Sequence, residues 1–350
     1  MSLSQPVIQA QRVSRTFKSV KKKEGLRGTL ELLWNPEHQE HRALDEVSFE
    51  IEAGAFVGLI GANGAGKTTL LKILSGLIPA TSGSARVLGE DPFKRSMTFR
   101  KSISLVMGQK AQLWWDLPAL DAFDLIRAIY EIPEKSYRER LDFLADLLDV
   151  KALFQTQIRR LSLGERMKME LIGALLHWPK VIFLDEPTIG LDVLAAHKLR
   201  EFLREFNSRE KATIILTSHN MEDIERLCSR VMILKTGKIL YDGKPQGLIQ
   251  SGERQLKVSL LETPDLPAVA TLTGLAPEQL SLTSEDATEE ESKPNSNHLW
   301  ISLTNDQIAP TLQKLMSRYT ISDMGIQGQS LERVIKSIYE TESRETGSKA

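Results

Sequence analysis

A glycine-rich run near the start of the chain has the spacing of a phosphate-binding loop. Residues 61–68 read GANGAGKT and fit the pattern G-x-x-x-x-G-K-[ST]. Glycines let the backbone wrap closely around phosphates and turn its N–H groups inward. Lys67 is expected to reach the β- and γ-phosphates of a nucleotide, and the hydroxyl of Thr68 is expected to ligate Mg²⁺. The predicted nucleotide-binding residues of this run are Gly61, Asn63, Gly64, Ala65, Gly66, Lys67, Thr68 and Thr69.

The segments on either side of this run favour a working phosphate loop. Residues 55–60 are apolar and strand-like, and residues 69–75 have a helical pattern. The N-terminus of that helix would add partial positive charge beneath the phosphates. The alternative is a glycine-rich turn that binds nothing, and the strand–loop–helix order argues against it.

Two carboxylates end a second apolar, strand-like segment. Residues 181–184 are Val-Ile-Phe-Leu, and Asp185 and Glu186 follow directly. Downstream of a phosphate loop, Asp185 suits the Mg²⁺ shell. Glu186 suits a general base that orients or deprotonates the attacking water. The alternative is an acidic strand end that caps the next helix.

Two further signals are weaker when taken alone. Ser162 and Gly164 precede a helical pattern at 166–176, and a helix N-terminus of this kind can bind an anion. His219 follows the apolar run 213–216, where it can contact a γ-phosphate. The alternatives are a simple helix cap and an ordinary structural histidine.

The elements that must position these residues follow an α/β pattern. The runs 181–184 and 213–216 lie between helical stretches, which is typical of parallel strands buried on both faces. Residues 231–241 read as a strand–turn–strand. Alternating strands and helices around a phosphate loop predict an α/β domain over residues 1–248, with a helical subdomain at about 98–175.

An insertion at about 18–41 interrupts the first strands of this domain. It opens with several lysines, and Leu26, Leu30 and Leu33 recur on one helix face beside Trp34. The element is either a helix packed on its own domain or an amphipathic element at the membrane surface or against a membrane partner.

Residues 249–345 have a different texture and predict a small α/β domain. Residues 257–261 and 298–303 alternate like half-buried strands, and residues 307–318 have a helical pattern. The acidic, Pro/Ser/Asn-rich stretch at about 284–297 is predicted to be a disordered loop.

The composition limits the kinds of protein that the chain can be. Its 350 residues suit two domains, and its net charge of −1 provides no general attraction to nucleic acid. No apolar run approaches the roughly 20 residues that span a bilayer, and the first residues lack the pattern of a signal peptide. Cys228, the only cysteine, is expected to be a small buried hydrophobe. We therefore expect a cytosolic protein that has no disulfide, no zinc cluster and no membrane span of its own.

These motifs, in this order, resemble the nucleotide-binding subunit of an ABC (ATP-binding cassette) transporter over about residues 7–245. The resemblance implies a P-loop NTPase cassette with a RecA-like α/β core, an antiparallel β subdomain and a helical subdomain. Residues 61–68 match the Walker A loop, and Asp185 with Glu186 matches Walker B. His219 is similar to the switch histidine of the family.

Five further positions take their roles from the resemblance. Gln109 resembles the Q-loop glutamine, which contacts Mg²⁺ or the attacking water. Phe17 sits where the family stacks an aromatic ring on adenine, with a plain core phenylalanine as the alternative. Ser162 and Gly164 lie in the signature, and Asp192 lies in the D-loop. The implied catalytic residues are Glu186, His219 and Gln109, and the implied metal ligands are Thr68, Gln109 and Asp185.

The signature departs from the family's LSGGQ in two places. Leu163 replaces a glycine, and Glu165 replaces the glutamine. The first change removes a glycine where backbone approaches phosphate, and the second places negative charge near ATP. Because Ser162 and Gly164 remain, we expect the signature to function.

The resemblance also implies cofactors and partners. In the family, ATP is held between the Walker loop of one subunit and the signature of another, so ATP, Mg²⁺ and a homodimer around two ATPs are implied. A separate transmembrane permease is the implied membrane partner, which places the chain peripherally on the cytoplasmic face of the inner membrane. Trp114 and Trp115 suit a contact with that permease, with burial of both rings in the helical subdomain as the alternative. No nucleic-acid partner is expected.

Residues 109–118 and the lysine-rich insertion resemble type-II exporters of drugs, lipids or polysaccharides. The stretch 321–334 is similar to the C-terminal extension of drug-exporter ATPases. The alternative is a soluble, non-transport ABC ATPase with a regulatory, translation or repair role. An ABC ATPase that acts on ribosomes usually carries two cassettes, whereas this chain shows the motifs of one. A DNA-repair member carries a long coiled coil between its motifs, and too few residues separate Lys67 from Asp185 for such an element. The short length and mixed pattern of the C-terminal domain favour a dimer clamp or a regulatory sensor, with a cargo-binding domain as the alternative.

Overall fold

The chain folds into two compact units, Met1–Lys244 and Pro245–Ala350, each with its own core. Among the residues that the structure describes, no helix is both long enough and apolar enough to cross a membrane. The computed structural model describes residues 6–20, 38–108, 111–248, 253–282 and 297–328, together with 331, 334 and 335.

The described residues of the first unit form two β-sheets. Their strands are β1 (Ile8–Val20), β2 (His38–Ile51), β3 (Phe56–Ile60), β4 (Ser82–Val87), β5 (Ile103–Met107), β6 (Val181–Asp185), β7 (Thr213–Thr217), β8 (Arg230–Lys235) and β9 (Lys238–Gly243).

The larger sheet has six strands in the order β5-β6-β7-β3-β8-β9. All neighbours are parallel except β8 and β9, which form an antiparallel pair. Strands β3 and β7 are short, apolar and buried along their whole length, because helices cover both faces of such a sheet. The carboxyl ends of β3, β6 and β7 therefore meet at one edge of the sheet. The parallel core predicted from the apolar runs is thereby confirmed.

The smaller sheet is antiparallel, in the order β2-β1-β4. Its β1–β2 ribbon continues from Phe17 opposite His41 to Val20 opposite His38. The residues at both ends of the predicted insertion, 18–20 and 38–41, are therefore strand. The side chains of these residues are mostly polar, and backbone pairing in a two-stranded ribbon does not require an apolar pattern. The sequence pattern therefore did not predict these strand ends. The predicted helix with Leu26 and Trp34 lies outside the described residues.

Seven α-helices are described in the first unit. A helical subdomain lies between β5 and β6, and α5 packs there against α3 and α4. The helices are α1 (Lys67–Leu74), α2 (Met97–Ser102), α3 (Ala119–Tyr130), α4 (Glu134–Leu148), α5 (Leu163–Leu175), α6 (Val193–Glu210) and α7 (Met221–Leu227).

Among its described residues, the second unit contains a four-stranded antiparallel sheet, in the order β11-β12-β10-β13, with two helices packed on its apolar face. The strand-like segments at 257–261 and 298–303 lie mostly in β10 and β12. The predicted disordered loop falls, except for Asn297, outside the described residues. The elements are α8 (Pro245–Leu248), β10 (Glu253–Leu260), α9 (Leu266–Thr273), β11 (Leu280–Ser281), β12 (His298–Thr304), α10 (Asn305–Met316) and β13 (Ile321–Gly328).

Candidate active site

The glycine-rich run connects β3 to α1 and lines a cavity of about 280 Å³. Gly66 has φ 108°, and a Cβ there would lie 2.4 Å from the carbonyl oxygen of Ala43. A Cβ on Gly61 would lie 2.6 Å from the carbonyl oxygen of Leu234. Only glycine fits at these two positions, because the loop is packed directly against neighbouring backbone. No side chain of the described chain caps the first turn of α1, so its N–H groups can bind an anion.

Lys67 places its ammonium group inside this loop. The side chain is buried, and Nζ donates to the carbonyl oxygens of Gly61 at 2.5 Å and Ala62 at 3.3 Å. Burial lowers the pKa of Lys67, while the carboxylates of Glu186 and Asp185 act in the opposite direction. The loop thus holds the ammonium group of Lys67 at the sheet edge, beside two carboxylates. At this place the ammonium group can form charge-assisted hydrogen bonds with a polyphosphate.

Asp185 and Thr68 form an oxygen pair suited to Mg²⁺. The hydroxyl of Thr68 donates to Oδ2 of Asp185 at 2.9 Å, and Thr217 donates to Oδ1 at 2.7 Å. Adjacent ligands of an octahedral ion at about 2.0–2.1 Å lie about 2.9 Å apart, and Mg²⁺ prefers hard oxygen ligands. The donor set therefore fits this ion, which Asp185 and Thr68 would hold. Gln109, the third predicted ligand, lies outside the described residues.

Glu186 and His219 meet at the same edge. His219 Nε2 lies 2.9 Å from Oε1 of Glu186, and Glu186 lines the cavity of the phosphate loop. The backbone of Glu186 has φ 55°, a conformation that is uncommon for a glutamate and concentrates at functional sites. A Cβ on Gly108 would lie 2.1 Å from the carbonyl oxygen of Glu186, so the residue before Gln109 must be glycine. Sequence reasoning had not selected Gly108.

Phe17 lines the cavity and is partly exposed. The guanidinium of Arg15 lies 4.7 Å from its ring centroid. His41, its partner across the β1–β2 ribbon, lines the cavity as well. This histidine was missed, although a sequence analysis that paired these two strands would have placed it opposite Phe17.

The predicted signature and D-loop residues lie away from this cavity within one chain. Ser162 caps α5, and a Cβ on Gly164 would meet Ala195 at 3.2 Å. Asp192 caps α6 by accepting a hydrogen bond from the N–H of Ala195 at 2.8 Å. The signature and the D-loop are therefore neighbours of each other, and none of these residues lines the phosphate-loop cavity.

The two unusual signature residues have clear local explanations. Leu163 is the first residue of α5 and needs no left-handed backbone, so a glycine is not required by the fold. Glu165 accepts hydrogen bonds from the N–H of Ser162 at 2.9 Å and from its hydroxyl at 2.8 Å, which completes a capping box. These two hydrogen bonds lower the pKa of Glu165. Its carboxylate is therefore ionised and holds the donors of Ser162.

Trp114 and Trp115 are both about half exposed, at 48% and 49%. Burial of the pair, the alternative considered from sequence, is therefore wrong. Trp114 lines a cavity of about 540 Å³ within the first unit. The guanidinium carbon of Arg166 lies over the Trp115 ring, 5.2 Å from its centroid. Buried Glu170 accepts hydrogen bonds from the N–H groups of Gln112 and Leu113, just before the tryptophans.

Glu170 was not identified from the sequence. An acid among the apolar residues of α5 was the available signal, and its burial raises its pKa.

Comparisons with known proteins agree with this geometry. A family model described as ABC transporter matches residues 44–189. The ABC transporter ATP-binding protein NatA of Bacillus subtilis is 31% identical over 210 residues, covering 60% of this chain and 85% of NatA. The chain belongs to the ABC transporter ATP-binding proteins. ATP hydrolysis coupled to transport is the general activity of this family, and the predicted membership is confirmed.

Other members extend the comparison. The Nod factor export ATP-binding protein I of Cupriavidus metallidurans is 34% identical over 212 residues, covering 61% of this ABC protein and 69% of the relative. The structure of cbiO1 from Clostridium perfringens, described as part of the ABC transporter complex cbiONQ, has a TM-score of 0.58 at 23% identity, covering 71% of this chain and 92% of cbiO1. The ATP-binding cassette MJ0796, described as a dimer bound to ADP and Pi, has a TM-score of 0.56 at 22% identity. This match covers 68% of this chain and 98% of the MJ0796 chain. These structures confirm the predicted cassette fold.

Proposed function

We propose that this ABC protein is the ATP-hydrolysing subunit of an exporter, acting as a homodimer on a separate transmembrane permease at the cytoplasmic face of the inner membrane. The proposal rests on one observation: the phosphate loop, the Asp185–Thr68 pair and the Glu186–His219 pair all lie at the same edge of the sheet. This arrangement binds a nucleotide phosphate and places a base next to it. Mg²⁺-dependent release of phosphate from ATP by the purified chain tests the catalytic part of the proposal, and an inactive, folded chain would contradict it.

Each side chain at this edge has a proposed role. Phe17 stacks on adenine. Residues 61–69, which include Lys67, bind the phosphates. Thr68, Asp185 and the predicted Gln109 hold Mg²⁺, which neutralises charge on the β- and γ-phosphates when bound. Glu186 accepts a proton from the attacking water, and His219 orients Glu186 and contacts the γ-phosphate.

The position of the signature supports a dimer. Ser162, Gly164 and Asp192 do not line the cavity of their own chain, so within this proposal they complete the site of a second subunit. MJ0796 is described as a dimer, which supports dimerisation of this chain as well. The exporter assignment rests on relatives with export in their names and on the exposed tryptophans. A soluble, non-transport ATPase is the alternative.

Glu165 is predicted to oppose dimer closure, because within this proposal its negative charge would lie beside the γ-phosphate held by the other subunit. Glu165→Gln retains the capping box, since glutamine also serves at this position. In a Glu186→Gln background, we expect ATP-dependent dimerisation at a roughly two- to fivefold lower ATP concentration, as for removal of an exposed charge. Analytical ultracentrifugation across an ATP series measures this shift.

Two comparisons give the Glu165 prediction its specificity. The effect should shrink at high salt, which screens exposed charges. Glu139→Gln removes an exposed charge from α4 in the same subdomain and should leave the ATP series unchanged. Weaker dimerisation of Glu165→Gln would instead show that the carboxylate attracts the partner.

The permease contact makes a separate prediction. The double variant Trp114→Ala, Trp115→Ala should lose co-purification with a multispan membrane protein in detergent, because interface energy concentrates in large aromatic anchors. Intrinsic ATP hydrolysis should persist, since neither ring lines the phosphate-loop cavity. Phe93→Ala, which removes another half-exposed ring, serves as the control. Co-purification with ribosomes or repair proteins would favour the soluble alternative.

A further inference from the structure

A fully buried carboxylate joins the two loops that carry the acid and the histidine of the site. Asp223 lies in the first turn of α7 and has no exposed surface. Its Oδ2 atom accepts hydrogen bonds from Thr188 Oγ1 and from Ser218 Oγ, each at 2.6 Å. Thr188 is two residues after Glu186, and Ser218 directly precedes His219. One carboxylate oxygen therefore holds both loops.

The charge of Asp223 is balanced by Arg200 from α6. Nη1 of Arg200 donates to Oδ1 of Asp223 at 2.8 Å, and its Nη2 lies 2.8 Å from Oε2 of Glu222. Both members of the Arg200–Asp223 pair are buried. An ionised carboxylate is the side chain that can accept from an arginine and from two hydroxyls at once. The arrangement therefore suits a rigid joint between two loops.

The sheet itself does not extend far enough to fix the Glu186–His219 pair. The parallel pairing of β6 with β7 ends at Asp185 opposite Thr217, before either residue of the pair. The N–H of Glu186 still bonds to Thr217, which holds the acid. His219 is half exposed, so packing alone does not hold it. The loop that carries His219 needs another attachment to the loop that follows Glu186.

We propose that Asp223 is a positioning residue for ATP hydrolysis, which sets the separation of Glu186 and His219 through Thr188 and Ser218. The inference rests on the roles proposed for Glu186 and His219. Misplacement of a catalytic group by about 1 Å can cost on the order of 10²-fold in rate. Loss of one attachment should therefore lower kcat while leaving the phosphate loop, and with it ATP binding, intact.

The test removes the donors, because replacing Asp223 would take away the buried one of the two carboxylates that pair with Arg200 and endanger folding. Thr188→Val and Ser218→Ala should each lower kcat by about tenfold, with KM for ATP within about twofold of wild type. Thr213→Val is the matched control. It removes a buried hydroxyl, which accepts from the N–H of Gly54 at 2.9 Å, at the opposite end of β7. This control should lose a similar amount of thermal stability and keep its kcat.

A second comparison separates positioning from general destabilisation. In a His219→Ala background, Ser218→Ala should cause no further loss in single-turnover rate, because its effect is transmitted through the histidine. Wild-type kcat in Thr188→Val and Ser218→Ala, or an equal loss without His219, would overturn the inference. Full activity of Glu186→Gln and His219→Ala would instead overturn the proposed function itself.

Discussion

Replacing Glu186 with glutamine should lower ATP turnover by about 10²- to 10⁴-fold while ATP binding is retained, because the amide keeps the shape of the side chain and cannot accept a proton. The phosphate loop and the Asp185–Thr68 pair are unchanged by this substitution. ATP should therefore remain in the site, and the proposed closed dimer should accumulate. Steady-state phosphate release measures the first effect, and analytical ultracentrifugation with ATP measures the second.

The chain offers a close control for this prediction. Glu201 lies 3.5 Å from His197 on the exposed surface of α6, so it forms another glutamate–histidine pair with no phosphate loop beside it. Glu201→Gln should leave turnover within about twofold of wild type, as expected for an exposed pair. Unchanged turnover in Glu186→Gln would remove Glu186 from the role of base.

Replacing Lys67 with alanine should abolish nucleotide binding at the concentrations that saturate the wild type. Removing one side of a buried, charged contact costs about 2–5 kcal/mol, which corresponds to a loss of at least roughly 30-fold in affinity. The protein should still fold, because burial already disfavours the charge of Lys67, as its lowered pKa shows. Isothermal titration calorimetry with ATP and Mg²⁺ measures the loss.

Lys72 provides the control for Lys67. It lies on the same helix, in the last turn, and it does not line the phosphate-loop cavity. Lys72→Ala should bind ATP with an affinity close to that of the wild type. If Lys67→Ala also binds normally, the phosphates are held elsewhere and the proposed site is wrong.

The two variants divide the site into parts that act at different stages. Lys67 acts on the bound nucleotide before any chemistry, whereas Glu186 acts on the attacking water. A chain in which Lys67→Ala abolishes binding and Glu186→Gln abolishes only turnover has the order of events that an ATP-driven dimer requires. The proposed joint at Asp223 then belongs to the second stage, since it joins the loops of Glu186 and His219 and does not contact the phosphate loop.

The phosphate loop and the strand-end acids could be recognised from the sequence because their function is local. Consecutive backbone N–H groups bind phosphate, so residues 61–68 carry their own chemistry wherever they occur. An apolar strand followed by Asp185 and Glu186 likewise defines a buried strand that ends in charge. The order of these motifs was sufficient to identify the family and the α/β class.

The relations between distant residues were decided by the tertiary structure alone. Whether His219 reaches Glu186 depends on two loops that are separated by α6 and β7. The burial of Asp223 and the exposure of Trp114 depend on how helices pack, which leaves no local pattern in the sequence. His41 entered the site only through the continuation of the β1–β2 ribbon. Local motifs thus determined which chemistry this chain can perform, and packing of distant segments decided which side chains are placed to perform it, because those separations are set by long-range contacts.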